Sequence, residues 1–153
     1  MSFDTRAGTR GSWQPKGRML RFFNSLVSRR IRGGRASKFM GFDALVLRTV
    51  GRKSGEERFT PLGWFRAADG SRLIVAAAAG APGNPAWYYN LAANPDQVRI
   101  DVGGEMLDVH AEQLHGAERE EAWQLITAAA PRFADYQKKT DRELPVIRLT
   151  PRP

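Results

Sequence analysis

Between residues 18 and 31, apolar side chains return at three- and four-residue steps: Met19, Leu20, Phe22, Phe23, Leu26, Val27 and Ile31. Arg18, Arg21, Arg29 and Arg30 fall between or beside them. That spacing predicts a short basic amphipathic helix, ended by Gly33-Gly34. Beyond Phe42 the period shortens. Residues 43–50 predict a first strand and 58–65 a second. Asp69-Gly70 marks a turn, and 72–77 predict a third strand. A helix is expected to start near Pro85 and run through Ala86 to Asn94, because proline suits a first turn and Asn94-Pro95 stops the helix. Residues 98–102 and 105–114 alternate around Gly103-Gly104, which predicts a second hairpin. Residues 117–130 are rich in helix formers, with Trp123, Leu125 and Ile126 expected to face inward. Pro131 ends that helix or restarts it. Residues 137–143 are charged and read as solvent-facing, and 146–149 predict a closing strand.

Five or six strands in hairpins with a few helices give an α+β class, a small antiparallel barrel. Three segments follow. Residues 1–17 hold Gly8, Gly11, Pro15 and Gly17 with little apolar content, which predicts a flexible arm. Residues 18–34 are the basic helix. Residues 35–153 form the barrel domain, a length that supports one real core.

Charge adds a partner class. The formal net charge is +8, which favours anionic ligands. Much of the excess lies early: Arg6, Arg10, Lys16, Arg18, Arg21, Arg29, Arg30, Arg32, Arg35 and Lys38 face only Asp4 among the first 40 residues. The basic helix at 18–32 either packs its apolar face on the domain or lies in an anionic membrane surface. No run approaches the roughly 20 apolar residues of a membrane span, and no signal peptide is expected. Cysteine is absent, so there is no disulfide, thiolate metal site or thiol nucleophile, and a cytoplasmic location suits the chain. Two histidines do not make a His-rich metal site, and no metal is expected. No Gly-x-Ser-x-Gly elbow supports a serine triad. Specific nucleic-acid binding lacks both a recognition helix and a stacking-aromatic sheet motif.

The chemistry concentrates in Gly51-Arg52-Lys53-Ser54-Gly55 and the strand after it. Arg52, Lys53 and Arg58 supply positive charge. Ser54 and the turn amides supply neutral donors, the mixture that a phosphate needs. The bland alternative is a solvated hairpin tip. The turn is not a Walker loop, because its spacing differs and a strand follows it. Residues 76–85 are nearly free of side chains, either to admit a flat ligand or to fit a neighbouring element. Trp87 reads as core, while Asn90 presents an amide to a ligand or to solvent. Phe133 and Tyr136 form an aromatic pair at i, i+3, either core or a pocket wall.

In order along the chain stand Gly51-Arg-Lys-Ser-Gly55, Arg58-x-x-Pro-Leu62, the Val75-Ala76 strand end, Asn84-Pro-Ala-Trp-Tyr88, Asn90-Leu91, Asn94-Pro95 and Ala134-Asp-Tyr-Gln-x-x-Thr-Asp-Arg142 followed by Pro145. This series resembles the deazaflavin-dependent nitroreductase family, actinobacterial enzymes of the split β-barrel (FMN-binding-like) fold. The resemblance covers about residues 40–151.

It implies coenzyme F420, whose phosphodiester and polyglutamate tail are anionic, with FMN as the alternative cofactor. Carried over, the phosphate-holding residues are Arg52, Lys53 and Ser54, then Arg58, Phe59, Thr60, Pro61, Leu62 and Gly63. The ring would lie along Val75, Ala76, Ala77 and Ala78. Ala86, Trp87, Tyr88, Tyr89 and Asn90 would close its other side. Tyr136 is the implied catalytic phenol, with Phe133 as an apolar wall. The implied reaction passes a hydride from F420H2 to a quinone or another activated conjugated acceptor. The alternatives are nitro-group reduction with the same cofactor and cofactor binding without catalysis. The chain departs from nitroimidazole-activating members at Ala130 and Phe133, where those carry tyrosines, and at Ala77, where they tend to carry serine. That makes its pocket more apolar and better suited to a quinone. A peripheral position on the inner membrane face would bring such an enzyme to a membrane quinone.

Overall fold

A computed structural model of the chain describes residues 3–13, 18–34 and 36–152. Its centre is one curled antiparallel sheet of eight strands. These are β1 (Lys38–Phe39), β2 (Phe42–Val50), β3 (Glu57–Gly63), β4 (Phe65–Arg66), β5 (Arg72–Val75), β6 (Val98–Val102), β7 (Glu105–Gln113) and β8 (Val146–Pro151). They run in the order β1-β2-β6-β7-β8-β5-β4, with β3 paired to β2. Four helices flank the sheet: α1 (Arg18–Arg32), α2 (Ala86–Ala93), α3 (Gly116–Ala129) and α4 (Arg132–Lys139). The α+β split-barrel expectation holds. The second predicted strand breaks in two at Trp64, whose amide turns to donate to the Asp43 carbonyl oxygen at 2.9 Å.

The two-residue period of β2 divides its side chains between two layers. Leu45 and Leu47 enter the barrel core with Ile74, Leu91, Ile100 and Ile147. Ala44 and Val46 face the other way and pack with Ile31 of α1, with Val27, Phe39 and Phe59 at the edge. β3 repeats the division in register, with Val46 opposite Pro61 and Thr49 opposite Arg58. Proline is tolerated at position 61 because β3 pairs with β2 alone and does not need every ladder donor.

Residues 3–13 depart from the expected flexible arm, while residues 1, 2 and 14–17 lie outside the described residues. The segment is a strap laid on the barrel. The Thr5 amide donates to the Tyr88 hydroxyl at 3.0 Å, and the Thr5 carbonyl accepts from Asn84 Nδ2 at 2.9 Å. Gly8 and Ser12 donate to the carbonyl oxygens of Pro82 and Gly80 at 2.7 and 3.0 Å. The Thr9 amide and hydroxyl both donate to the Asp141 carboxylate, at 2.8 and 2.6 Å. A side chain at Gly8 would run into Asp141, and one at Gly11 into the Gly80 carbonyl. A glycine-rich composition that reads as freedom here permits close approach instead.

The segment 137–143 also departs from expectation. Thr140 and Arg142 are buried, Arg142 to 3% exposure. The Arg142 guanidinium donates from Nη1 to Ala76 O (2.9 Å) and Asn84 Oδ1 (2.7 Å). Nη2 donates to Ala77 O (3.0 Å) and Ala81 O (2.9 Å), and Nε to Ala81 O (3.3 Å). Burial lowers its pKa from the ordinary value, with Tyr89 and Tyr88 opposing that shift. It remains a cation, as arginine does in proteins.

Replacing Arg142 with methionine should cost about 2–4 kcal/mol of stability, because buried carbonyl oxygens lose their donors. Urea unfolding followed by circular dichroism reads this, and an unchanged midpoint would remove Arg142 as the anchor of residues 76–84. A second expectation concerns acid. Thr9 holds the Asp141 carboxyl down from 3.8 to about 2. A depressed carboxylate pKa stabilises the docked form above the unfolded value and loses that effect as pH falls through the folded value. The strap contact should therefore be complete above about pH 4 and fade towards pH 2. Thr9 and Asp141 chemical shifts should titrate together in that window; independent titration would contradict the contact.

Candidate functional site

The β2–β3 turn is built to hold its donors still. Gly51 N–H donates to the Glu56 carbonyl oxygen at 2.7 Å, and Gly55 N–H to the Gly51 carbonyl oxygen at 2.8 Å. Gly55 has φ +74, a conformation that glycine adopts without strain. Ser54 Oγ accepts from the Glu56 amide at 3.1 Å. From outside the turn, Asn90 Oδ1 accepts from the Arg52 amide at 3.0 Å, and Asn90 Nδ2 donates to Thr49 Oγ1 at 3.2 Å. Asn90 is thus a buried clamp from α2 onto the hairpin.

The cations of the turn differ in their engagement. The Arg52 guanidinium lies over the Tyr89 ring at 4.8 Å. Arg58 pairs with Glu56 at 3.3 Å, and its Nη2 stands 3.4 Å from Ser54 Oγ. Among the described residues, no acid lies within ion-pair distance of Lys53. The amides of Lys53 and Ser54 also have no protein acceptor among the described residues. Two free amides beside three cations form a donor set of the right chemistry for a phosphate or carboxylate.

Along β3 the structure separates the residues carried over as a block. Arg58 is opposite Thr49 and so shares its face, while Leu62 packs on the barrel core; Thr60 lies between them in register. Phe59 is on the opposite face. Its ring lies between the guanidiniums of Arg32 (4.7 Å) and Arg48 (5.2 Å), beneath α1, so its side chain does not face the inner layer. Pro61, opposite Val46, shares that outer face, and Gly63 abuts Phe42.

The strand end and the loop after it are shaped by Arg142. Val75, Ala76 and Ala77 are buried, with the carbonyls of Ala76 and Ala77 turned to the guanidinium. Ala78 and Ala79 have φ +46 and +53, which costs a side-chain-bearing residue energy. Strain of this kind persists where the surroundings over-determine the backbone. Residues 78–80 form a single 3-10 turn against α4. With only methyl groups or hydrogens on it, this turn can admit a flat ring close to backbone.

α2 divides by depth. Ala86 is exposed and Tyr89 half-buried. Trp87 and Tyr88 lie in the barrel core, as the reading of Trp87 as core expects. The Tyr88 hydroxyl donates to Gln113 Oε1 at 2.5 Å, and burial raises its pKa. Tyr89 connects the parts: its hydroxyl accepts from Asn84 Nδ2 at 3.3 Å while its ring carries Arg52.

Phe133 and Tyr136 of α4 are half-buried, and their rings meet edge-on at 5.6 Å. Phe133 also meets Phe65 at 5.7 Å and Phe42 at 6.2 Å. A Cβ on Gly80 would lie against the Tyr136 carbonyl, so Tyr136 and the alanine turn are brought together. Sequence reasoning gave no role to Phe42, Phe65, Asn84 or Arg142. The signal for Arg142 was a lone arginine before Leu144-Pro145 in a stretch dominated by exposed charge. Among the described residues, no group of histidine and carboxylates could hold a metal ion.

The family model for F420H(2)-dependent quinone reductases matches residues 20–151. The F420H(2)-dependent quinone reductase Rv1261c of Mycobacterium tuberculosis (strain ATCC 25618 / H37Rv) is 41% identical over 112 residues, 71% of this chain and 74% of that protein. A solved F420-H2 dependent reductase (FDR-A) superposes with a TM-score of 0.62 at 40% identity, covering 69% of this chain and 92% of its own. A structure described as a domain-swapped dimer gives 0.65 at 34% identity, covering 84% and 93%.

Proposed function

Because the chain belongs to the F420H(2)-dependent quinone reductase family, we propose that its hairpin turn and alanine loop hold F420H2 for hydride transfer to a quinone. The observation that carries the residue assignment is the turn, which Asn90 clamps at the Arg52 amide and which sets two unsatisfied amides beside three cations. The residues fit the group by chemistry. Lys53, Arg58, Ser54 and the turn amides suit the phosphate. Arg52 stands beside them, exchanging part of its contact with Tyr89 for an anion. Ala76, Ala77 and Ala78 suit a flat ring, because their small side chains leave the backbone of the strained turn without bulk around it. Bound F420H2 supplies the hydride, a property of the cofactor rather than of the protein.

The remaining work belongs to the chain. Arg142 and Asn84 hold the loop in place, so that it would keep a bound ring aligned with its acceptor. The aromatic surface of Phe65 and Phe133 excludes water from an apolar acceptor. The Tyr136 phenol donates a hydrogen bond to the acceptor oxygen. FMN is not needed to account for the family or for this site.

Fluorescence titration tests the assignment. F420 should bind saturably and FMN should not. Lys53→Ala and Arg58→Ala should each weaken F420 binding by about 1.5–3 kcal/mol, as the loss of one charged hydrogen bond. Full affinity in both variants would move the anion elsewhere.

We also propose a peripheral contact with anionic membrane. Met19, Phe22, Phe23 and Leu26 of α1 are exposed, the first two to 74% and 72%, beside Arg21, Arg29 and Arg30. Among the described residues no helix is long and apolar enough to cross a membrane, so the contact would lie in the interface. The full chain should float with vesicles containing anionic lipid, and Phe22→Glu with Phe23→Glu should abolish this. Flotation unchanged by the double substitution would reject the role of α1.

A further inference from the structure

The first residue of α4 has a place that the site described so far does not use. The Arg132 guanidinium lies 5.1 Å from the centre of the Phe42 ring. Phe42 contacts Phe65 at 5.3 Å and Phe133 at 6.2 Å, and Phe133 continues to Tyr136. Arg132 and Tyr136 are four residues apart on one helix, so they share a face. The aromatic surface therefore has a phenol at one side and a cation at another. Among the described residues, no carboxylate lies within ion-pair distance of Arg132. The acid of the same helix turn, Asp135, is taken by Lys138 at 3.9 Å.

We infer that Arg132 binds the anionic oxygen of the reduced acceptor. This rests on the acceptor site proposed above. A quinone that accepts a hydride, with its electron pair, becomes a hydroquinone monoanion, and a proton from solvent or Tyr136 completes the hydroquinone. The charge formed during transfer falls on an oxygen at the rim of the aromatic surface. A donor aimed at charge that develops in the transition state accelerates the reaction more than one that binds the neutral reactant equally well. The Arg132 side chain is exposed, and a cation resting on a ring at such a site is held only weakly. Arg132 is thus free to leave Phe42 for a stronger anionic partner, where a guanidinium forms charge-assisted hydrogen bonds. Flat acceptors whose reduced form is a stabilised oxyanion are the class that this arrangement selects.

The test uses two probes of similar shape, neutral menadione and the anion of 2-hydroxy-1,4-naphthoquinone. Each is titrated calorimetrically into the F420-loaded protein at neutral pH. Arg132→Met should weaken the anion about tenfold, the loss of a charged hydrogen bond, and leave menadione within about twofold by the same reasoning. Arg132→Lys should fall between, and Arg66→Met, which removes an equal exposed charge resting on the Trp64 ring, should match the parent. Quinone turnover in Arg132→Met should fall in kcat with KM nearly kept. Equal anion loss in Arg132→Met and Arg66→Met, or no loss in either, overturns the role of Arg132. F420 binding and thermal melting of each variant report folding. Failure of the unmodified protein to bind F420 would overturn the cofactor assignment instead.

Discussion

One buried cation holds the alanine loop in place. Arg142 reaches from the segment after α4 and takes the carbonyls of Ala76, Ala77 and Ala81, with the Asn84 amide oxygen. A loop of alanine and glycine has no side chains with which to fix itself, and its backbone oxygens would be costly to bury unpaired. Arg142 resolves both difficulties with one planar group. Because all its partners are neutral, the charge is spread over four oxygens and is not cancelled by a carboxylate. Its Asn84 partner binds the strap through Thr5 and touches Tyr89, which carries Arg52. A continuous chain of contacts thus runs from the segment after α4, through the alanine loop, to the β2–β3 turn.

The hairpin β2–β3 serves two layers at once. Its inner residues belong to the barrel and the turn, and its outer residues to the seat of α1. Phe59 shows the division, held between Arg32 of α1 and Arg48 of β2. The guanidinium of Arg48 in turn forms a two-point pair with Asp101, at 2.7 and 2.8 Å. Such a bidentate pair on a sheet face fixes both side chains, and hydrogen bonding to Asp101 raises the Arg48 pKa. α1 is therefore seated on a rigid outer surface while four of its apolar side chains remain exposed.

Much of the architecture could be read from the sequence because period and punctuation agree. Alternation marked both hairpins, Gly103-Gly104 and Gly51 to Gly55 marked their turns, and Pro85 and Asn94-Pro95 bracketed α2. The turn chemistry was also legible, since Arg52, Lys53 and Ser54 are local. Long-range polar contacts were not legible. Arg142 lies among Lys138, Lys139, Asp141 and Glu143, and its burial depends on carbonyls some 60 residues away. Tyr88 and Tyr89 are neighbours with different fates, because a helix turns about 100° per residue and only packing decides which ring enters the core. The strap was hidden for another reason: apart from Phe3, which packs edge-on against Tyr88, its attachment uses backbone groups and small side chains, too little apolar content for a hydrophobic pattern.

Gly8 and Gly11 give that strap an unusual kind of heritable signature. What the docked backbone requires at these two positions is the absence of a Cβ, while Arg6 between the strap's fixed points is exposed and free to vary. Selection on this segment would therefore appear as two invariant glycines three residues apart, with Thr9 between them kept as the partner of Asp141. Comparisons weighted towards apolar conservation would pass over it as filler, although it touches α2, the loop at 80–84, β7 and the segment after α4.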